Sequence, residues 1–146
     1  MHPYPHVYRV SAASAQQGDV TLESAGLPDL ATAPPPEFDG PGGRWSPETL
    51  LCASVADCFI LTFRAIARAS KLEWQRLECE VQGTLERVEG KAQFTRYATT
   101  AKLSVPAGTD EAKARALLER AEHTCLISNS LRGERTLHAE VVTATS

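Results

Sequence analysis

Residues 46–72, SPETLLCASVADCFILTFRAIARASKL, constrain the fold more than any other stretch of the chain. Ser46 suits an N-cap and Pro47 the first helical position. Glu48 puts a negative charge in the first turn, where the unpaired amides of a helix favour it. An apolar run follows, through Leu50, Leu51, Val55, Phe59, Leu61 and Phe63. From Leu50 to Phe63 almost every face is apolar, the pattern of a buried helix rather than of one laid on a surface. Charge returns at Arg64, Arg68 and Lys71, where the C-terminal end of the helix dipole favours cations. A chain with such a helix has to wrap other layers around it. This one also places two thiols, Cys52 and Cys58, inside the apolar part.

With 146 residues there is room for one domain around one core, so 1–146 is expected to be a single domain. The 42% hydrophobic and 23% charged residues fit a water-soluble globular class. A net charge of −3 gives no electrostatic case for nucleic acid or for an anionic membrane surface. The opening MHPYPHVYRV lacks the layout of a signal peptide. The apolar part of the long helix reads as too short and too interrupted to cross a bilayer. The cytoplasm is the expected location. There the four cysteines, Cys52, Cys58, Cys79 and Cys125, are structural, metal-binding or catalytic thiols rather than staples. None has C-x-x-C spacing, and zinc would have to draw on scattered residues such as His123 and Cys125. No metal or cofactor is expected.

Two short strands, 7–11 and 20–23, flank the turn-like Gln16-Gln17-Gly18-Asp19. Residues 25–43, with Pro34-Pro35-Pro36 and Gly40-Pro41-Gly42-Gly43, read as an extended loop that leads to Arg44 and Trp45. After the helix, 74–88 alternates, with Leu77, Cys79, Val81 and Leu85 on one face and acids on the other. That is the pattern of a half-solvated strand in an antiparallel sheet. Glu89-Gly90 turns the chain into a second long strand, 92–105, whose parity slips near Phe94 to Ala98 as a bulge would make it. Thr109-Asp110 caps a helix with the stripe Ala114, Leu117, Leu118, Ala121, and Cys125 continues that face. A short helix or turn, 126–131, closed by Gly133, leads to a last strand, 136–143. The order predicts an α+β domain in which an antiparallel sheet covers helices.

Cys79, on the apolar face of a strand, reads as a small hydrophobe. Cys52 and Cys58 lie about 240° apart around the helix, so a bond between them is geometrically poor and Cys52 reads as packing. Cys58 and Cys125 sit on the two apolar stripes that should meet in the core. A thiol becomes reactive only where positive charge or donors favour its thiolate. Arg44 is the best-placed cation in the sequence, and Glu48 can hold its guanidinium through a bidentate pair. Asp57, beside Cys58, is an unfavourable neighbour, because a nearby carboxylate raises a thiol pKa.

Ser46-Pro47-Glu48, with Cys58-Phe59 ten residues after the glutamate, resembles the OsmC/Ohr family of hydroperoxide-reducing proteins. The segment Ala121-Glu122-His123-Thr124-Cys125-Leu126-Ile127-Ser128 looks like that family's second cysteine motif, and the similarity covers nearly the whole chain. The resemblance implies an intertwined homodimer, with sheets wrapped around central helices and the active sites at the subunit interface. It implies that Cys58 attacks an organic hydroperoxide and becomes a sulfenic acid, which Cys125 resolves as a disulfide. It further implies that Glu48 orients an arginine over the thiolate, and that a dithiol, in some members a lipoylated protein, returns the electrons. Two positions depart from the family pattern. Leu126 stands where proline often follows the second cysteine, and Glu37 occupies one place where the arginine is expected. Arg9 and Arg44 are the arginines that precede Cys58. A rival expectation is a non-peroxidase member of the same fold that binds an apolar small molecule at the dimer interface.

Overall fold

The computed structural model describes residues 1–144. The chain forms two compact units, Met1–Leu50 and the remainder from Leu51, and the division along the sequence falls in the first turn of the long helix.

The N-terminal unit holds a small antiparallel sheet, β1 (Ser11–Ala13), β2 (Val20–Glu23) and β3 (Leu30–Thr32), in that order. β2 lies where the alternation placed it. β1 starts four residues later than expected, and residues 7–10 precede it as exposed chain. β3 falls inside the segment read as loop. It is three residues long, too short to show a period against the prolines and glycines around it, and Thr32 pairs with Val20 at its end. Beyond it the Ala33 amide donates to the Trp45 carbonyl at 3.0 Å. A single 3-10 turn, Pro36–Phe38, fills the gap, and the Gly40 amide returns to the Pro35 carbonyl at 3.0 Å. A Cβ on Gly40 would lie 1.7 Å from the Pro34 carbonyl oxygen, so only glycine fits there.

Helix α1 runs Pro47–Ala69. Its start is capped as the sequence implied. The Thr49 amide donates to Ser46 Oγ at 3.1 Å, while the Ser46 amide donates back to Thr49 Oγ1 at 2.9 Å, a reciprocal cap with threonine in the usual place of glutamate. Its end is a left-handed cap at Lys71 (φ 56°), with the Leu72 amide reaching the Ala67 carbonyl at 2.9 Å. Its burial differs from the expectation. One stripe, Val55, Phe59, Phe63 and Ala67, is buried, while Leu61 is 50% exposed and most other apolar residues are half-buried. The sequence shows how apolar a helix is, but not how much of it the same chain can reach. The helix is also longer than its apolar run suggested. At 23 residues it is long and apolar enough to cross a membrane, by length and composition alone.

The unit from Leu51 is built on a three-stranded sheet, β4 (Arg76–Val88), β5 (Lys91–Val105) and β6 (Glu134–Thr143), with β5 in the middle. β4 and β5 form a long antiparallel hairpin, and Thr95 is the extra residue of the bulge anticipated between Phe94 and Ala98. β6 runs parallel to β5, contrary to the all-antiparallel expectation. The cause is the connection. Between them lie α2 (Glu111–Thr124) and the one-turn α3 (Leu126–Asn129), and a crossover of that length returns the chain in its original direction. The Asp110 carboxylate caps α2 by accepting from the Lys113 amide at 3.1 Å. The core lies between the sheet and the helices: Phe59 and Phe63 of α1, Leu77 of β4, Leu103 and Val105 of β5, and Leu117, Leu118 and Ala121 of α2.

Candidate active site

Cys58 lies three turns into α1 and is half-buried. Thr62, one helical turn further on, places its hydroxyl 3.7 Å from Cys58 Sγ. Cys125 is fully buried at the joint between α2 and α3. Its backbone (φ −56°, ψ 113°) leaves the helical region for one residue and then re-enters it. The joint is held on both sides, with the Cys125 amide donating to the Ala121 carbonyl and the Asn129 amide to the Cys125 carbonyl, each at 3.0 Å. The break leaves the amides of Leu126 and Ile127 free, as first-turn amides always are, and both donate to Cys58. The thiol of Cys125 donates to Cys58 as well.

These contacts separate the two thiols electrostatically. Burial pushes the Cys58 thiol up. The hydrogen bonds from the Ile127 amide, the Cys125 thiol, the Thr62 hydroxyl and the Leu126 amide outweigh it, and the net shift is below the ordinary thiol range. Cys125 moves the other way. Burial raises it, and the neighbouring Cys58 adds to the rise, against partial relief from the hydroxyl and amide of Ser128. Asp57, on the preceding helical position, is exposed and does not reverse the lowering of Cys58. Cys79 is pushed up to about 11, by burial first and then by the charges of Glu122 and Cys125. Cys52 is raised by burial, with the Gly83 amide donating to it. All four cysteines are free thiols. Among the described residues, no group of three His, Cys, Asp or Glu side chains gathers closely enough to hold a metal ion.

In the N-terminal unit Arg44 is exposed. Its Nε donates to Asp19 Oδ2 at 3.1 Å and its Nη1 to the Gly43 carbonyl at 3.3 Å. The expected pairing of Arg44 with Glu48 is not made. Gly42 and Gly43, both at positive φ, turn the chain just before Arg44, and its guanidinium meets the β1–β2 turn instead. Glu48 Oε1 is buried with no hydrogen-bond partner among the described residues. Beside it lies a cavity of about 450 Å³, lined by Val20, Leu22, Pro34, Phe38, Pro47 and Glu48. Glu37 is exposed.

Within the unit from Leu51 the structure makes Cys58 and Cys125 neighbours, and within the N-terminal unit it does not pair Arg44 with Glu48. The sequence reading missed the two backbone amides, which carry no side-chain signal, and Thr62, which the four-residue spacing from Cys58 on a helix would have offered.

The fold is α+β, and it holds two free thiols as neighbours, with the pKa of Cys58 shifted down and that of Cys125 shifted up. The family model for OsmC-like proteins matches residues 40–140, and the chain belongs to that family. It is 30% identical over 139 residues to YmaD of Bacillus subtilis, described as an uncharacterized protein, covering 92% of both chains. It is also 30% identical over 127 residues to an organic hydroperoxide resistance protein of Xanthomonas axonopodis pv. citri, covering 84% of each. A crystal structure of an organic hydroperoxide resistance protein OsmC from Legionella pneumophila superposes with a TM-score of 0.75 at 27% identity, over 96% of this chain and 99% of that one.

Proposed function

We propose that the protein is a cysteine-based peroxidase that reduces organic hydroperoxides in the cytoplasm. The observation that carries the reading is the place of two free thiols, Cys58 on α1 beside the Thr62 hydroxyl and Cys125 at the α2–α3 joint, and the opposite directions of their pKa shifts support it. The names of the Xanthomonas and Legionella relatives support the substrate class. The Cys58 thiolate attacks one peroxide oxygen and the O–O bond breaks. The alkoxide takes up a proton and leaves as the alcohol, and the sulfur becomes a sulfenic acid. Cys125 then attacks that sulfur, hydroxide leaves and is protonated to water, and a Cys58–Cys125 disulfide forms. A dithiol reductant returns two electrons by exchange. Arg44 and Glu48 are proposed as the assisting cation and acid, a role that rests on the resemblance of the SPE segment to the family. On this basis Arg44→Ala slows hydroperoxide consumption about tenfold, which corresponds to ~1.4 kcal/mol.

The test is the intact mass after one equivalent of cumene hydroperoxide. Wild type loses about two mass units on forming the disulfide, and Cys125→Ser gains about sixteen as a sulfenic acid that dimedone traps. Cys58→Ser consumes nothing. Peroxide consumption by Cys58→Ser removes the assignment. A wild-type protein that leaves the hydroperoxide untouched removes the peroxidase and favours the rival, a module that binds an apolar small molecule.

A further inference from the structure

Helix α3 is a single turn, Leu126–Asn129, and a turn of that length does not hold itself in water. Yet two of its amides, Leu126 and Ile127, are among the groups that lower the pKa of Cys58, so whatever fixes α3 also bears on that sulfur. The strand behind it supplies the fixture. Arg135, on β6, is half-buried and spans both sides of the Cys125 joint. Its Nε donates to Glu122 Oε1 at 2.7 Å, and its Nη2 donates to the Glu122 carbonyl in the last turn of α2. Its Nη1 donates to Asn129 Oδ1, at the end of α3, at 2.7 Å. The ion pair is largely withdrawn from water, with the side chains of Arg135 and Glu122 only 26% and 15% exposed. A guanidinium can make these contacts together because its donors are fixed in one plane, whereas a lysine ammonium offers no such fork.

We infer that Arg135 is a positioning residue for the two-thiol site: it ties the end of α2 to the end of α3 and so holds the Leu126 and Ile127 amides on Cys58. It touches neither sulfur in this role and acts through the backbone it anchors. The inference deepens the peroxidase reading and rests on it, since it supplies the means by which the attacking thiolate is kept.

The measurement is the rate of alkylation of Cys58 by iodoacetamide against pH, read by peptide mass, with circular dichroism as the folding control. In wild type the Cys58 profile lies below that of an ordinary thiol. Arg135→Gln raises its midpoint by about one unit, roughly a tenfold loss of thiolate near neutral pH. Asn129→Ala, which removes the α3 tie alone, raises it in the same direction by less. Arg135→Lys keeps the charge and fails to restore the profile. The Cys52 profile, governed by its burial against β4, does not move in any variant. If Arg135→Gln does not fold, Asn129→Ala decides alone. Folded Arg135→Gln and Asn129→Ala variants with the wild-type profile overturn the inference and leave the peroxidase reading standing. An Arg135→Lys variant with the wild-type profile overturns it too, because charge and not the fork would then be acting. If wild-type Cys58 titrates as an ordinary thiol, both readings fall together.

Discussion

At the scale of single residues, the four thiols differ in the direction of their shifts, and this orders their reactivity. Cys58 is lowered, while Cys52, Cys79 and Cys125 are raised. Limited alkylation on a rising pH series should therefore modify Cys58 first. The same shifts have a stability consequence. The folded pKa of Cys79, at about 11, lies above that of the unfolded thiol, so its contribution is full below the unfolded value and is lost as pH rises through the folded one. Cys79→Ala should flatten the alkaline fall in melting temperature, and an unchanged fall would mean that other groups cause it. The sequence made Cys58 and Cys125 legible because each sits on an apolar helical stripe. It also held a signal for Arg135 that passed unread. Arg135 shares its strand face with Leu137, Ala139 and Val141, and a charge at an inward position calls for a buried partner. Glu122, in the second cysteine motif, is that partner.

At the scale of elements, the helix-to-sheet approach at Cys52 is set by one missing side chain. A Cβ on Gly83 of β4 would stand 2.6 Å from Cys52 Sγ and 3.0 Å from Phe94 Cε1. Gly83→Ala should destabilise the protein by about 1–3 kcal/mol through overpacking, measured as a shift in the denaturant midpoint. Combining it with Cys52→Ala, which removes the sulfur, should restore part of that loss. Additive effects in the double variant would show that the clash lies elsewhere. The long elements were readable because each repeats its own period several times. α1, β4, β5 and α2 all lie close to where alternation or the helical stripe placed them, and the bulge at Thr95 was visible as a slip in parity. β3 was not readable, since three residues contain no period. The direction of β6 was misread because strand alternation is the same in parallel and antiparallel pairs. The length of the α2–α3 connection carries that information instead.

At the scale of the whole molecule, several large apolar side chains are left open to solvent within the chain. Only 28% of the most apolar window of α1 is buried within the chain, Leu61 is half exposed, and Tyr4, Val7, Tyr8 and Val10 line an exposed N-terminal segment. A homodimer that covers these surfaces is the arrangement the family resemblance implies. Sedimentation at micromolar concentration should give twice the chain mass of 15.8 kDa, and a stable monomer would remove the homodimer from the proposal. The parallel placement of β6 has a further consequence, for the order in which the protein is made. All four cysteines precede it in the chain, while Arg135 and the strand that carries it come afterwards. A ribosome that has reached Leu131 has already incorporated every thiol, but not yet the tie between α2 and α3. Long-range strand pairing of this kind forms late. The growing polypeptide should therefore carry sulfurs of ordinary reactivity and become sensitive to oxidants only when its final strand docks, so that synthesis can finish before the chemistry begins.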